Sequence, residues 1–274
     1  MDLNHLIANA QNLPKIPKVV QELIESFRNE NVNSHEIAEK LSKDQAMTAK
    51  VLRMANSSKY GGHRQVGSVN DAAVLVGFNA LRTMVLASGL SSSIQSPKGF
   101  DLEKFWHKGF SIAILSKWLA QFSPQVDNEV AFTAGMLHDI GGLLTHILVN
   151  EKALEIDRVV EKGADRIEME NSHLGFTYPE AGAELACRWK FPEEIVDGLR
   201  HQLAPTSADG EYHKLSAILL MANHLYQQLN EPVETIVSSL PNNHIEQLTM
   251  DKIRLIDRID EIKHIEDEVK ETFG

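Results

Sequence analysis

The sequence predicts an all-α protein of two helical lobes followed by a long amphipathic C-terminal helix. Apolar residues recur three and four apart through most of the chain, as in Val19, Val20, Leu23, Ile24 and Phe27. No stretch alternates apolar and polar residues well enough to compete as a strand, and aromatic residues make up only 6% of the chain. Breakers fall between the periodic segments, so the helices are short and clearly separated.

Pro14 and Pro17 precede the first long stripe, and Asn33 or Ser34 ahead of Glu36 and Ile37 reads as the capped start of the next helix. Ile37 and Leu41, then Val51, Leu52, Met54 and Ala55, mark two further helices. The stretch from Ser57 to Ser68 contains Gly61, Gly62 and Gly67 with Tyr60, His63 and Arg64, a glycine-rich loop without the spacing of a phosphate-binding loop. Asn70 and Asp71 are the expected N-cap of a helix that runs to Val76. Ser96, Pro97 and Gly99 interrupt the pattern and are the expected junction between a first lobe, residues 1–95, and a second, residues 100–230.

Helices are expected over about 102–122, 128–148, 152–162 and 179–190, then from Pro192 to about Leu203. Residues 204–212 form a loop and Ser216 to Leu229 return to helix. Residues 231–274 end in one helix from about His244 to Phe273, with Leu248, Leu255, Ile259, Ile262, Val269 and Phe273 on one face and Glu266 interrupting the seam. That face packs either on the protein's own surface or against a second copy as a homodimer.

The net charge of −11 opposes general binding to nucleic acid, and Lys15 and Lys18 read as solvated charges. Cys187 is the only cysteine, which excludes an intrachain disulfide and a cysteine-rich zinc site. Its helical surroundings predict a small buried hydrophobe. No run of about 18 apolar residues and no basic, apolar leader occurs, so the expectation is a soluble cytoplasmic protein without membrane contact. Asp44, Arg53, Asn56 and Arg82 are polar residues in apolar helices and are expected to hold the first lobe together by hydrogen bonds.

Among the 12 histidines, His138 stands out, adjacent to Asp139 within Gly135-Met136-Leu137-His138-Asp139-Ile140-Gly141-Gly142. Imidazole and carboxylate are common metal ligands. Adjacent side chains on a helix diverge by about 100°, so one ion can meet both only on the helix flank. The three glycines would admit another helix at close range, and that helix would have to supply a further ligand. His107 shares a helical face with Phe110, Ile114 and Trp118 and is expected to point inward.

The order His107, then His138-Asp139 within His-Asp-Ile-Gly, resembles the HD superfamily of helical metal-dependent phosphohydrolases. Leu13-Pro14-Lys15-Ile16-Pro17, Leu41-Ser42-Lys43-Asp44, Leu52-Arg53-Met54-Ala55-Asn56-Ser57, Tyr60-Gly61 and Val74-Leu75-Val76-Gly77 with Leu81-Arg82 are similar to the signature of its HDOD branch. The resemblance extends from about Leu13 to Leu229. It implies an HD-type bundle for the second lobe and a role in bacterial signalling, with a signalling protein as partner.

The same resemblance implies metal ligands at His107, His138 and Asp139, with Asn223 at the position of a final Asp. Tyr178 and Gln202 stand where related two-metal enzymes place histidines, while His173 and His224 are possible substitutes. Asn offers a neutral oxygen, so Asp139 alone would balance half the charge of a divalent ion. An iron, manganese, nickel or zinc ion would then be weakly held or absent. If bound, the ion would polarise a phosphoryl oxygen and activate water, with His201 the general acid or base by position. Three readings stay open: a catalytically degenerate regulatory protein that binds a partner or small ligand, a phosphomonoesterase or phosphodiesterase with a reduced ligand set, and a scaffold in which His138-Asp139 is only a buried hydrogen-bonded pair.

Overall fold

The computed structural model of the chain describes residues 2–10, 13–26, 34–57 and 65–273. Among these residues every regular element is helical, apart from one isolated antiparallel bridge between Thr206 and Tyr212. The chain opens with α1 (Leu3–Asn9), α2 (Lys18–Ser26), α3 (Ser34–Leu41), α4 (Gln45–Ala55), α5 (Val69–Val76) and α6 (Phe78–Ser93). Asp44 caps α4 by accepting from the Met47 N–H. The cap of α5 is Ser68, whose hydroxyl accepts from the Asp71 N–H, so Asn70 and Asp71 belong to the first turn instead. Gly77, at φ +82°, ends α5 and turns the chain into α6. The glycine-rich stretch with Gly61, Gly62, His63 and Arg64, and the cap expected at Asn33, lie outside the described residues.

Of the polar residues in these helices, Asn56 does hold the lobe. Its amide brackets Val66, donating to the carbonyl at 2.9 Å and accepting from the N–H at 2.7 Å. Arg82 is buried, and the carboxylates nearest it in effect are Asp127 and Glu129, which lie beyond the first group of helices. Helix α6 is buried from Ala80 to Leu90 because it packs on both α2 and α4.

The rest of the chain builds a bundle from α7 (Leu102–Ala120), α8 (Asn128–Leu137), α9 (Ile140–Val160), α10 (Arg166–His173), α11 (Tyr178–Arg188), α12 (Glu193–Arg200) and α13 (Lys214–Gln227). Helix α7 lies against α8 and α13, and α9 lies against α10 and α11, while α6 reaches α8. Buried apolar side chains from Ile7 to Val269 join in one connected core. The break expected between residues 148 and 152 is a kink inside α9, at Val149 (φ −141°, ψ 50°). Helix α10 was not anticipated, although Asp165 caps it by accepting from the Glu168 N–H, a legible start signal.

The single C-terminal helix expected from about His244 to Phe273 is instead a chain of short helices. After α14 (Val233–Ser239), they are α15 (Asn242–Gln247), α16 (Lys252–Asp257), a 3₁₀ turn (Ile259–His264) and α17 (Ile265–Phe273). Thr249 adopts φ 47°, the Asp251 N–H donates to the Phe122 carbonyl at 2.9 Å, and the Asp251 side chain caps α16. These interactions break the helix so that each segment follows the surface of the bundle. Leu248, Leu255, Ile259, Ile262 and Val269 are buried within the chain. Phe273 stacks on Phe110 with ring centroids 3.9 Å apart, a geometry worth about 0.5–1.5 kcal/mol beyond area burial.

Cys187 is exposed, contrary to the buried position expected, because α11 turns Ala181, Gly182, Leu185 and Ala186 inward. Among the described residues one stretch, Asn128–Val160, is long and apolar enough to cross a membrane, but it is broken between α8 and α9 and 72% of its most apolar window is buried inside the protein.

Two of the glycines around His138-Asp139 do serve close helix approach. A Cβ at Gly135 would lie 2.7 Å from the Cα of Ala113 and 2.9 Å from the Ile112 carbonyl oxygen in α7. A Cβ at Gly141 would overlap the Tyr178 carbonyl and the Gly182 nitrogen in α11. Both obstacles at Gly141 are backbone and cannot rotate away. Gly141→Ala should therefore destabilise the chain by about 2 kcal/mol or more in urea unfolding. Gly67, with nothing within 4 Å of a built Cβ, is the control, and its Ala variant should change stability by no more than about 1 kcal/mol.

Candidate functional site

His138 and Asp139 do not lie inside one helix, as the sequence suggested, but form the joint between α8 and α9. His138 is the C-cap of α8, and Asp139, at φ −110° and ψ 14°, precedes α9. A continuous helix would use the His138 carbonyl for the Gly142 N–H. Here the Gly142 N–H donates to the Asp139 carbonyl at 2.9 Å. The His138 carbonyl accepts instead from Gln202 Nε2 at 2.8 Å. Gln202, which replaces an expected histidine, thus fixes the joint.

The His138 ring is buried, with Nδ1 2.8 Å from the Gly135 carbonyl oxygen. A carbonyl can only accept, so Nδ1 carries the hydrogen and Nε2 presents a lone pair. That Nε2 is buried and has no hydrogen-bond partner among the described residues. Burial, helped by the nearby Lys108 ammonium, pushes the imidazole down to about 4, so the ring is neutral at pH 7.

Asp139 turns to Lys108, whose Nζ lies 3.5 Å from Oδ2. Gly142 leaves room for that carboxylate, because a Cβ there would lie 2.6 Å from Oδ1. His107 departs from the expected inward orientation. Its side chain is 31% exposed, and Nε2 lies 3.3 Å from a carboxylate oxygen of Glu266 in α17. Trp106, one position earlier, takes the buried place. The break in the apolar seam at Glu266 is therefore a polar contact with α7, which also receives the Ser111 hydroxyl at 3.4 Å.

The other expected site residues have different partners. Asn223 Nδ2 donates to the Leu219 carbonyl of its own helix at 3.1 Å. His201 stacks on His213, with ring centroids 4.0 Å apart and planes 1° from parallel. His173 Nδ1 lies 2.9 Å from the Met169 carbonyl, and His224 Nε2 lies 2.9 Å from the Ser239 hydroxyl. Among the described residues no three His, Cys, Asp or Glu side chains converge as a metal-ligand set.

Beside the joint runs an ionic chain that sequence reasoning missed. Glu170, only 2% exposed, accepts from the Tyr178 N–H at 2.7 Å and lies 3.5 Å from Arg166. Burial holds its carboxyl above the ordinary range. Arg166 in turn pairs with Asp157 at 2.6 Å, and Asp157 lies 2.9 Å from His146 Nε2. Burial opposes the Asp157 charge, yet these two partners hold its carboxyl below the ordinary range. The Tyr178 phenol is pushed up by burial and by the Asp139 and Glu170 carboxylates. The capping pattern at Asp165 would have exposed α10, and with it Arg166 and Glu170. No local pattern marks Lys108 as facing Asp139 or Glu266 as facing His107.

His138 makes stability depend on pH in a defined window. The folded ring titrates near 4 and the free ring near 6.5, so between those values the unfolded chain binds the additional proton. This contribution is complete above about pH 6.5 and is lost as pH falls towards about 4, amounting to about 3 kcal/mol at most. Urea unfolding of wild type should weaken across this window, and His138→Gln should show a shallower dependence. Parallel curves for the two proteins would refute this assignment.

Comparison with known proteins places this geometry in a family. The family profile of the HDOD domain matches residues 13–205. The chain is similar to a solved structure from Shewanella amazonensis described as a candidate phosphohydrolase, with 34% identity, 97% of each chain covered and a TM-score of 0.84. It shares its fold with a candidate signal transduction protein from Marinobacter aquaeolei, at 22% identity and a TM-score of 0.78, covering 98% of this chain and 63% of that one. An uncharacterised protein of Treponema pallidum is 22% identical over 84% of this chain, which spans only 45% of that relative's length. The match over residues 13–205 and the shared all-α architecture establish that the chain belongs to the HDOD domain family of the HD superfamily.

Proposed function

We propose that this chain is a bacterial signalling or regulatory protein whose HD-type bundle is catalytically degenerate and acts by binding a partner protein or a small ligand. The observation that carries this reading is the Lys108 ammonium 3.5 Å from Asp139. A cation of the chain stands at the carboxylate that a divalent ion would need, and the two would repel. Asp139 and Lys108 are 29% and 41% exposed, so the pair itself contributes at most about 1 kcal/mol. Its consequence is for ligand chemistry more than for stability.

The remaining donors fit a metal poorly. His107 is engaged with Glu266, and Asn223 supplies a neutral amide in place of a carboxylate. One feature favours the second reading, a metal-dependent phosphohydrolase with a reduced ligand set. The neutral His138 ring holds a buried Nε2 lone pair without a partner, the form in which imidazole binds metal.

Elemental analysis of untagged protein purified without chelator separates the two, together with release of phosphate or nitrophenol from generic phosphomonoester and phosphodiester substrates. The regulatory reading expects iron, manganese, nickel and zinc far below one ion per chain, and no hydrolysis that Asp139→Ala removes. Near-stoichiometric metal and hydrolysis that both vanish in Asp139→Ala would establish the phosphohydrolase instead.

A further inference from the structure

A cavity lies away from the joint between α8 and α9, where three distant stretches of chain meet. Residues 13–15, the connection around Ile94 and Lys98, and α9 at His146 and Asn150 line an open pocket of about 620 Å³. That volume lies within the range of small-molecule sites. Leu13, Pro14, Ile94, Pro97 and Ile147 give it apolar walls, and Asn150 Nδ2 steadies its rim by donating to the Lys98 carbonyl at 3.2 Å.

Among the described residues two ionic side chains, Lys15 and Lys98, line this cavity, and no carboxylate does. In a chain with a net charge of −11, a pocket whose charged lining residues are both cations concentrates anions. Two ammonium groups match a dianion such as a phosphate monoester better than they match a single carboxylate.

His146 adds a second, independent requirement. The residue is 4% exposed and lines the cavity. Its Nε2 faces the Asp157 carboxylate at 2.9 Å, while Nδ1 is buried and has no hydrogen-bond partner among the described residues. A carboxylate accepts, so Nε2 carries the hydrogen and Nδ1 is the ring nitrogen left for a ligand. A buried polar atom left unpaired is costly, and a ligand hydroxyl would recover it.

We propose that this cavity binds a small hydroxylated phosphate ester, with its phosphate held by Lys15 and Lys98 and a hydroxyl donated to His146 Nδ1. The inference deepens the regulatory reading by giving it a class of ligand, and rests on that reading. His146, Asp157, Arg166 and Glu170 form a continuous ionic chain that ends on the Tyr178 N–H. Occupancy of the cavity therefore has a physical route to the HD joint. The Leu13-Pro14-Lys15 motif, whose lysine reads from sequence as a solvated charge, acquires a role as one wall of the site.

Calorimetric titration of the full chain with ribose 5-phosphate, AMP, inorganic phosphate and ribose tests this. The expected result is saturable binding of at least one ester, tighter than inorganic phosphate, and no binding of ribose. Lys15→Glu with Lys98→Glu, both at exposed positions, should weaken ester binding at least tenfold while leaving thermal unfolding unchanged. His146→Phe should remove the preference for ester over phosphate. Failure of both esters to bind, or equal binding by the charge-reversed variant, overturns the proposal. Phosphate release is followed in the same samples, so loss of this ligand site and loss of the regulatory reading give different signatures. The first is an absence of ester binding. The second is ester hydrolysis that Asp139→Ala abolishes.

Discussion

At Gly141 the backbone of α9 meets that of α11 with no space for a side chain, and much of the candidate site depends on that contact. The Tyr178 carbonyl and Gly182 nitrogen press on α9 just after Asp139, so the start of α9 cannot shift without moving α11. The Tyr178 N–H is in turn held by Glu170, which brings α10 to the same place. On the other side, Gly135 admits α7 with Lys108 and His107 on it. Two glycines six residues apart thus set how closely α7 and α11 approach the joint. Protein interiors are packed densely enough that a single added methyl group is felt.

Charge around the joint is balanced by the chain's own side chains. Asp139 faces Lys108, Glu170 and Asp157 share Arg166, and His107 faces Glu266. Buried charges persist only when paired or hydrogen-bonded, and Glu170 meets that condition through a backbone N–H and a guanidinium. The consequence is a site whose electrostatic needs are largely met before any ligand arrives. His138 Nε2, Gln202 Oε1 and His146 Nδ1 are buried without a hydrogen-bond partner among the described residues. The first two lie at the joint, and the third belongs to a residue that lines the cavity with Lys15 and Lys98.

The C-terminal segments contribute more than cover. Glu261 accepts from the Trp118 indole at 2.9 Å, Glu266 reaches His107 and Ser111, and Phe273 stacks on Phe110. All three contacts fall along α7, the helix that carries Lys108. The broken path of residues 242–273 also lets the Asp251 N–H reach the Phe122 carbonyl, past the end of α7.

The sequence alone determined that the chain is helical, where most helices run, and which family it joins. Apolar spacing of three and four residues and the capping and breaking residues are local properties, and the string of motifs from Leu13 to Arg82 is specific in itself. His138-Asp139 and the glycines beside it were legible for the same reason. Tertiary structure decided where those residues point. Whether His107 faces inward or towards Glu266, which side chain lies opposite Asp139, and whether residues 244–273 stay straight depend on partners more than a hundred residues away or on another helix. A helical repeat specifies a face, but the group opposite that face is chosen by how helices cross, and nothing in the local spacing encodes the crossing.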